Sequence, residues 1–115
     1  MNSESELIIR EKTTAVIAFN LYLNSIQIDL SSVDHIVLQM IDSKNKVYRY
    51  STEDATSLFI NDPSTGSIYF YPPDETIFSY DRSPYKMYCW VYDTITQKYS
   101  VPSNGYNQIT VLREY

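Results

Sequence analysis

The sequence predicts an all-β protein, an antiparallel sandwich of about seven or eight short strands. Short segments in which apolar and polar residues alternate recur along the chain, and turn-forming residues separate them about every 8 to 12 residues. Helical periodicity is nearly absent, which argues against a layered α/β architecture. The chain has 115 residues, fewer than a typical domain of about 150, so we expect a single domain over residues 1–115 with one core.

The first half of the chain contains three predicted strands. Residues 15–23 and residues 35–41 both alternate with a period of two, which is typical of half-buried strands. Residues 42–46 contain Asp and Asn, which tolerate turn conformations, so we expect a hairpin into a Tyr-rich strand at residues 47–51. The apolar side of the first two strands consists of Ile17, Phe19, Leu21, Leu23, Ile36, Leu38 and Met40.

The middle of the chain is less regular. Residues 52–56 are compatible with one helical turn, with Ser51 or Thr52 as its N-cap. Two short β-prone runs follow, at residues 57–60 and 67–71, and the Asn-Asp-Pro-Ser-Thr-Gly sequence between them predicts a turn. Pro72 and Pro73 end the second run.

The last third contains the longest run of strand-forming residues, 85–93. A connection of hairpin length leads from it into residues 99–101. Residues 107–112 form the final predicted strand, with Ile109 and Val111 on one side and Gln108, Thr110 and Leu112 on the other.

Composition excludes several classes of function. The net charge is −5 and the isoelectric point is near 4.6, so nucleic acid and anionic membrane surfaces are poor partners. A single Cys forms no internal disulfide, and one His with one Cys does not make a usual zinc site. We expect no cofactor and no bound metal. No secretory signal or transmembrane stretch is visible, which predicts a soluble protein.

The residues that could carry catalysis have simpler interpretations. His35 lies on the polar side of a strand, where an exposed structural His is the better account. Cys89 lies at a strand centre, where a small packed side chain is expected rather than a nucleophile. Asp74, Glu75 and Asp81 lack the spacing of a calcium loop and are better explained as a solvated acidic loop. We therefore expect a protein that is not an enzyme.

The segment Asp81-Arg-Ser-Pro-Tyr85-Lys-Met87 resembles the start of strand F in immunoglobulin-like domains. In that family an Asp, a Tyr four residues later and a Cys two residues after that recur. The resemblance implies an immunoglobulin-like sandwich in which Tyr85, with Asp81, forms a tyrosine corner. Met87 occupies the position of the Cys, so the resemblance implies a hydrophobic contact where the family has a disulfide.

The order of segments along the chain is similar to the N-terminal immunoglobulin-like domains of phage baseplate upper proteins and related tail or capsid accessory proteins. The likeness includes an N-terminal Ile-Ile-Arg strand, residues 28–40, Tyr88-Cys-Trp-Val-Tyr-Asp93 and Gln108-Ile-Thr-Val111. It implies a virion structural protein, assembled in the host cytoplasm, whose partners are other virion proteins or further copies of itself.

The alternation of residues 85–93 also predicts a binding surface. If Tyr85 points inward, Tyr88, Trp90 and Tyr92 point outward, and an exposed aromatic row of this kind generally marks a partner surface. Tyr48, Tyr50 and Tyr99 on neighbouring strands would widen the row. The opposite interpretation places Trp90 in the core, with the other side of the strand covered by a loop.

A carbohydrate-binding module is the alternative function from a different class. Such modules stack sugar rings on flat aromatic rows, which would make a host glycan the ligand. This alternative requires polar side chains beside the rings, for which Asp42, Asp93 and Gln97 are the candidates.

Overall fold

The computed structural model describes residues 6–54 and 56–114. Nearly all of its regular structure is β. The strands in chain order are β1 Glu6–Arg10, β2 Ile17–Asn20, β3 Tyr22–Leu23, β4 Ile26–Gln27, β5 His35–Ile41, β6 Val47–Ser51, β7 Leu58–Asp62, β8 Ser67–Phe70, β9 Tyr85–Tyr92, β10 Lys98–Val101 and β11 Asn107–Leu112.

Two sheets form an immunoglobulin-like sandwich, which confirms the predicted fold class. The larger sheet has the order β1-β11-β9-β5-β6, and β10 pairs with the second half of β9. The smaller sheet has the order β2-β8-β7, and β3 and β4 form a separate hairpin. In immunoglobulin lettering, the central strands of the larger sheet correspond to G, F, C and C′, and the smaller sheet corresponds to B, E and D.

Two details differ from the sequence-based expectation. The run at residues 15–23 is divided at Leu21 into β2 and β3, which raises the number of strands above eight in the described part of the chain. The larger sheet is also not purely antiparallel, because β1 pairs with β11 in parallel register.

Residues 52–54 form a turn rather than the predicted helical turn, and Ala55 lies outside the described residues. The local polar groups explain the difference. The Thr52 hydroxyl accepts a hydrogen bond from the Ile36 N–H of β5 at 3.0 Å, so it is committed to the sheet. The helices of the described residues are two three-residue 3-10 turns, Pro63–Thr65 and Tyr80–Arg82, and neither has the length to cross a membrane.

The core lies between the two sheets. Alternation places Ile36, Leu38 and Met40 of β5 inward, and all three are fully buried. Opposite them, Ile68 and Phe70 of β8 are also fully buried and belong to the same apolar cluster. The predicted inward sides of the strands are therefore confirmed for β5 and also for β11, where Ile109 and Val111 are buried.

The turn between β7 and β8 requires a glycine. Gly66 has a φ of 71°, in the left-handed region. A Cβ at this position would lie 2.8 Å from the carbonyl oxygens of both Leu21 and Ile28. The turn approaches the β3–β4 hairpin this closely because the Leu21 N–H donates to the Gly66 carbonyl at 2.8 Å.

Tyr85 makes the hydrogen bonds that define a tyrosine corner. Its hydroxyl donates to the Ile77 carbonyl at 2.7 Å and accepts from the Ser79 N–H at 3.0 Å. Burial raises the pKa of this hydroxyl, which keeps it protonated as a donor. The expected role of Asp81 in this corner is wrong. Asp81 is exposed, and its side chain makes no hydrogen bond to any described residue.

The neighbouring Arg82 makes the ionic contact at this end of the sandwich. Its guanidinium donates to Oδ2 of Asp42 at 2.9 Å, and the Tyr48 hydroxyl donates to the same oxygen at 2.9 Å. Oδ1 of Asp42 accepts from the backbone N–H groups of Lys44 and Lys46. Burial alone would raise the pKa of Asp42, but these hydrogen bonds together lower it below its ordinary value.

Replacement of Gly66 by Ala tests the close approach of the turn to the hairpin. We expect Gly66→Ala to lower the free energy of unfolding by about 2 kcal/mol or more, because Cβ meets two backbone oxygens in addition to an unfavourable φ. Gly105→Ala is the matched control, since Gly105 also has a positive φ of 78° but lies in an exposed loop. Equal losses in chemical denaturation would contradict a steric role for the turn.

Replacement of Asp42 by Asn tests the buried carboxylate. We expect Asp42→Asn to lower the free energy of unfolding by about 2 kcal/mol at neutral pH, since Arg82 and Tyr48 lose a charged acceptor. Because the folded state lowers the pKa of Asp42, the wild-type advantage is complete above the ordinary pKa of 3.8 and disappears as pH falls through the lower folded-state pKa.

The control for this change is Asp81→Asn, which removes a nearby exposed carboxylate. We expect it to alter stability by less than about 0.5 kcal/mol. A pH-independent difference between Asp42→Asn and the wild type in urea titrations would show that the carboxylate charge has no part in the effect.

Candidate functional site

The side chains of β9 alternate strictly between the core and the surface. Its inward residues Tyr85, Met87, Cys89 and Val91 are buried, with at most 3% of the surface of each exposed. Lys86 is exposed on the other side, and Tyr88, Trp90 and Tyr92 are half-buried there. The structure thus agrees with the predicted inward direction of Tyr85 and contradicts the interpretation in which Trp90 is a core residue.

The three outward aromatic residues form a continuous row. Their Cα positions span about 13 Å along the strand, because side chains on one face repeat every 6.6 to 6.8 Å. The Tyr88 and Trp90 rings meet edge to face, with centroids 5.9 Å apart. Beside this row on the same face, Val37 of β5 is paired with Trp90 and is covered so well that only 5% of its surface is exposed. The row is therefore packed onto the sheet rather than loosely exposed.

Hydrogen bonds fix the tyrosine at one end of the row. The Gln39 amide donates to the Tyr88 hydroxyl at 2.7 Å, and its carbonyl accepts from the Arg49 guanidinium at 2.9 Å. These contacts cross three strands, because Gln39 is the register partner of both other residues. The hydroxyl of Tyr88 is held in place at the surface, which reduces the entropy lost when a partner binds.

A lysine from the neighbouring strand lies over the indole ring. Lys98 of β10 places its Nζ 4.4 Å from the centroid of Trp90 and 5.3 Å from that of Tyr92. The same ammonium donates to the Tyr92 hydroxyl at 3.3 Å. Contacts of this kind with an aromatic face are attractive, by about 0.5 to 1 kcal/mol at exposed sites.

The other end of the row is closed by the single histidine. The imidazole of His35 stacks on Tyr92, with centroids 4.1 Å apart and planes 15° apart. Its Nδ1 lies 2.6 Å from Oδ2 of Asp34, and its Nε2 lies 3.7 Å from Oε1 of Glu53. These three residue types could in principle share a cation. The two carboxylates, however, approach different ring nitrogens, an arrangement that holds the imidazole flat on Tyr92.

We refer to this surface as the Trp90 face. It consists of the outward residues His35, Gln39, Arg49, Tyr88, Trp90, Tyr92 and Lys98. The alternation of residues along β9 identifies its three aromatic residues, but it does not identify Gln39, Arg49 or Lys98. Only the strand register could have identified them, because each comes from a strand that is separate from β9 in sequence.

The prediction that Tyr48, Tyr50 and Tyr99 widen the aromatic row is wrong. Tyr48 and Tyr50 pair with the inward residues Met40 and Leu38, and paired residues share a face. Tyr48 is buried, and Tyr50 packs on Phe70 with ring centroids 4.8 Å apart. Tyr99 pairs with buried Val91 and packs against the core.

Of the three polar residues considered for sugar binding, Asp42 is not available to a ligand on this face. Asp42 is buried and committed to Tyr48 and Arg82. Asp93 and Gln97 lie in the exposed connection between β9 and β10, and the backbone of Gln97 is tied to the Thr94 hydroxyl at 3.0 Å. The polar side chains that the structure places with the rings of the Trp90 face are Gln39, Arg49 and Lys98.

The thiol of Cys89 has the environment of a packed side chain. It is fully buried on the inward side of β9, and burial raises the pKa of the thiol to about 12. A nucleophilic cysteine requires access and a lowered pKa, so this position does not support one.

Comparison with models of known protein families and with curated proteins finds no match for this chain. What indicates the function of this protein is therefore the geometry of the Trp90 face, together with the resemblance of its strand pattern to phage baseplate and accessory domains.

The burial of Cys89 gives a direct prediction. We expect a thiol-specific reagent to leave the folded protein unmodified and to modify Cys89 fully in denaturant, since the thiol is inaccessible and protonated in the fold. Mass spectrometry after timed exposure measures this. Rapid modification without denaturant would contradict the inward assignment of Cys89 and, with it, the outward assignment of Trp90.

Proposed function

We propose that this protein is a non-enzymatic binding module that docks on other proteins of a virus particle through the Trp90 face. The observation that carries the proposal is the row of three half-buried aromatic residues on an outward sheet face, held by hydrogen bonds and by Lys98. Large aromatic side chains with one polar group are enriched at the centres of protein interfaces, where they supply contact area at low entropic cost.

The charges of this face indicate the chemistry of the partner. Arg49, Lys86 and Lys98 lie on the outward side of the larger sheet, and the carboxylates of Asp34 and Glu53 lie only at its His35 end. A row of aromatic side chains flanked by cations favours a partner surface that presents carboxylates around an apolar centre. The docking rate should then fall as salt is added.

The virion part of the proposal rests on the resemblance to phage baseplate and accessory domains. A fold that needs no disulfide also fits a particle assembled in a reducing cytoplasm, since the single Cys89 is buried and unpaired. A glycan stacked on this face is the less favoured alternative, because Lys98 lies over Trp90 and would have to move.

The genes beside this one provide the first test. We expect neighbouring reading frames to encode capsid, portal or tail proteins. A metabolic operon in that position would contradict the virion assignment while leaving the docking surface to be tested separately.

Replacement of Trp90 provides the structural test. We expect Trp90→Ala to reduce the amount of this protein in purified particles by at least about tenfold, because truncation of a central aromatic anchor typically costs 2 kcal/mol or more. Tyr88→Ala combined with Tyr92→Ala should have a similar effect. Quantitative mass spectrometry of particles gives the measurement, and circular dichroism of each isolated variant reports its fold.

Ile26→Ala is the matched control, since it removes a 71% exposed apolar side chain from the β3–β4 hairpin. We expect it to leave incorporation unchanged. Normal incorporation of folded Trp90→Ala would refute the docking role of this face. A concentration-dependent oligomer of the purified wild-type protein that Trp90→Ala abolishes would identify a second copy of the chain as the partner.

A further inference from the structure

A second aromatic surface lies on the opposite side of the sandwich. On the smaller sheet, a groove of about 460 Å³ is lined by the outward residues Phe59, Tyr69 and Tyr71, by Thr56 and Asn61, and by Ile60, which pairs with the inward Ile68 and packs against the core. We refer to it as the BED groove, after the immunoglobulin letters of that sheet. Its volume is within the range of small-molecule sites in proteins, about 300 to 1,000 Å³.

The rings of the BED groove form a corner. Phe59 of β7 and Tyr69 of β8 are directly paired across the sheet, so their side chains share the outward face. Tyr71 follows on the same side and is perpendicular to Phe59 (89°, centroids 5.6 Å apart) and nearly so to Tyr69 (73°, 6.4 Å). Its position is fixed by a backbone hydrogen bond from its N–H to the Ser57 carbonyl at 2.7 Å.

Neutral hydrogen-bonding groups border the rings. The Asn61 amide donates to the Ser67 hydroxyl at 3.3 Å, which orients the side chain, and its carbonyl oxygen accepts no hydrogen bond from the described residues. The hydroxyls of Thr56, Tyr69 and Tyr71 add further donors and acceptors. Among the described residues, those that line the groove include no Asp, Glu, Lys or Arg, although these types make up 20% of the chain.

We propose that the BED groove binds a neutral carbohydrate, with a sugar ring in the aromatic corner and its hydroxyls bonded to Asn61 and the neighbouring hydroxyl groups. An uncharged lining fits an uncharged ligand, because a buried charge without a partner is costly. The groove is open to solvent, so a sugar ring can stack on the exposed face of one aromatic ring while the perpendicular ring beside it contacts the edge of the sugar. Pro-rich peptides instead dock in extended aromatic-lined grooves, so the corner fits them less well.

This site is independent of the Trp90 face. The only Trp of the chain lies on the outward face of the larger sheet. The aromatic rings of the groove lie on the outward face of the smaller sheet, on the other side of the core. Selectively excited Trp fluorescence therefore reports ligands on the Trp90 face, whereas backbone amide shifts of β7 and β8 report ligands in the groove.

The test is a titration of the purified chain with cellotriose, maltotriose, chitotriose and xylotriose, followed by heteronuclear NMR and calorimetry. We expect at least one trisaccharide to bind saturably, with a dissociation constant of about 1 mM or lower. The amide shifts should concentrate at residues 59–61 and 69–71, and the emission of Trp90 should not change.

Variants locate the site. We expect Tyr71→Ala to weaken binding by about tenfold, and Asn61→Ala to weaken it by several-fold. Both residues lie on the surface, with Tyr71 43% exposed, so the fold should be retained, which NMR spectra will show directly. Tyr22→Ala is the matched control, because Tyr22 is a 46% exposed tyrosine outside the groove, and it should bind as the wild type does.

Three results would overturn the proposal. The first is the absence of binding by every trisaccharide at about 10 mM, well above the expected dissociation constant. The second is binding that changes Trp90 emission and is unaffected by Tyr71→Ala, which would place the sugar on the Trp90 face. The third is saturable binding of a Pro-rich peptide in the groove with no sugar binding. The first and third results do not bear on docking through the Trp90 face, whereas the second would favour the glycan alternative for that face.

Discussion

The burial of Tyr85 fixes the direction of every side chain in β9. Its hydroxyl is held by Ile77 and Ser79 at the point where the chain crosses between the sheets, and its ring packs against Phe78 and Tyr48. Since side chains alternate along a strand, no residue of β9 can change sides without moving this ring out of the core. The outward position of Trp90 is therefore a consequence of the corner five residues earlier.

The two faces of the sandwich use aromatic residues differently. On the larger sheet, Trp90 and Tyr92 are covered by the Lys98 ammonium, and Tyr88 is linked through Gln39 to Arg49. This face combines aromatic rings with cations and, at its His35 end, two carboxylates, which suits a protein partner. On the smaller sheet, the rings form a concave corner with uncharged neighbours. The chain has twelve Tyr, and some of them contribute to two surfaces of different chemistry.

Polar contacts at the ends of the strands stabilise this arrangement without disulfide bonds. Asp42 connects the turn after β5 to Tyr48 of β6 and to Arg82 ahead of β9, so one carboxylate joins three segments of the larger sheet. Gly66 lets the turn of the smaller sheet contact the β3–β4 hairpin. Immunoglobulin domains with a disulfide place it between strands B and F, which are β2 and β9 here, and Met87 at the cysteine position of β9 is buried in the core.

The sequence by itself determined the fold class, most strand positions and the inward side of β5, β9 and β11, because these depend on local alternation with a period of two. It also determined the tyrosine-corner position of Tyr85. The tertiary structure decided which tyrosines share a face, since that depends on strand register: Tyr48 and Tyr50 lie inward because they pair with Met40 and Leu38. It likewise decided that Arg82 forms an ion pair with Asp42, and that Phe59, Tyr69 and Tyr71 meet in one groove. Contacts between distant segments depend on how the strands pair and how the sheets pack, and no local pattern encodes them.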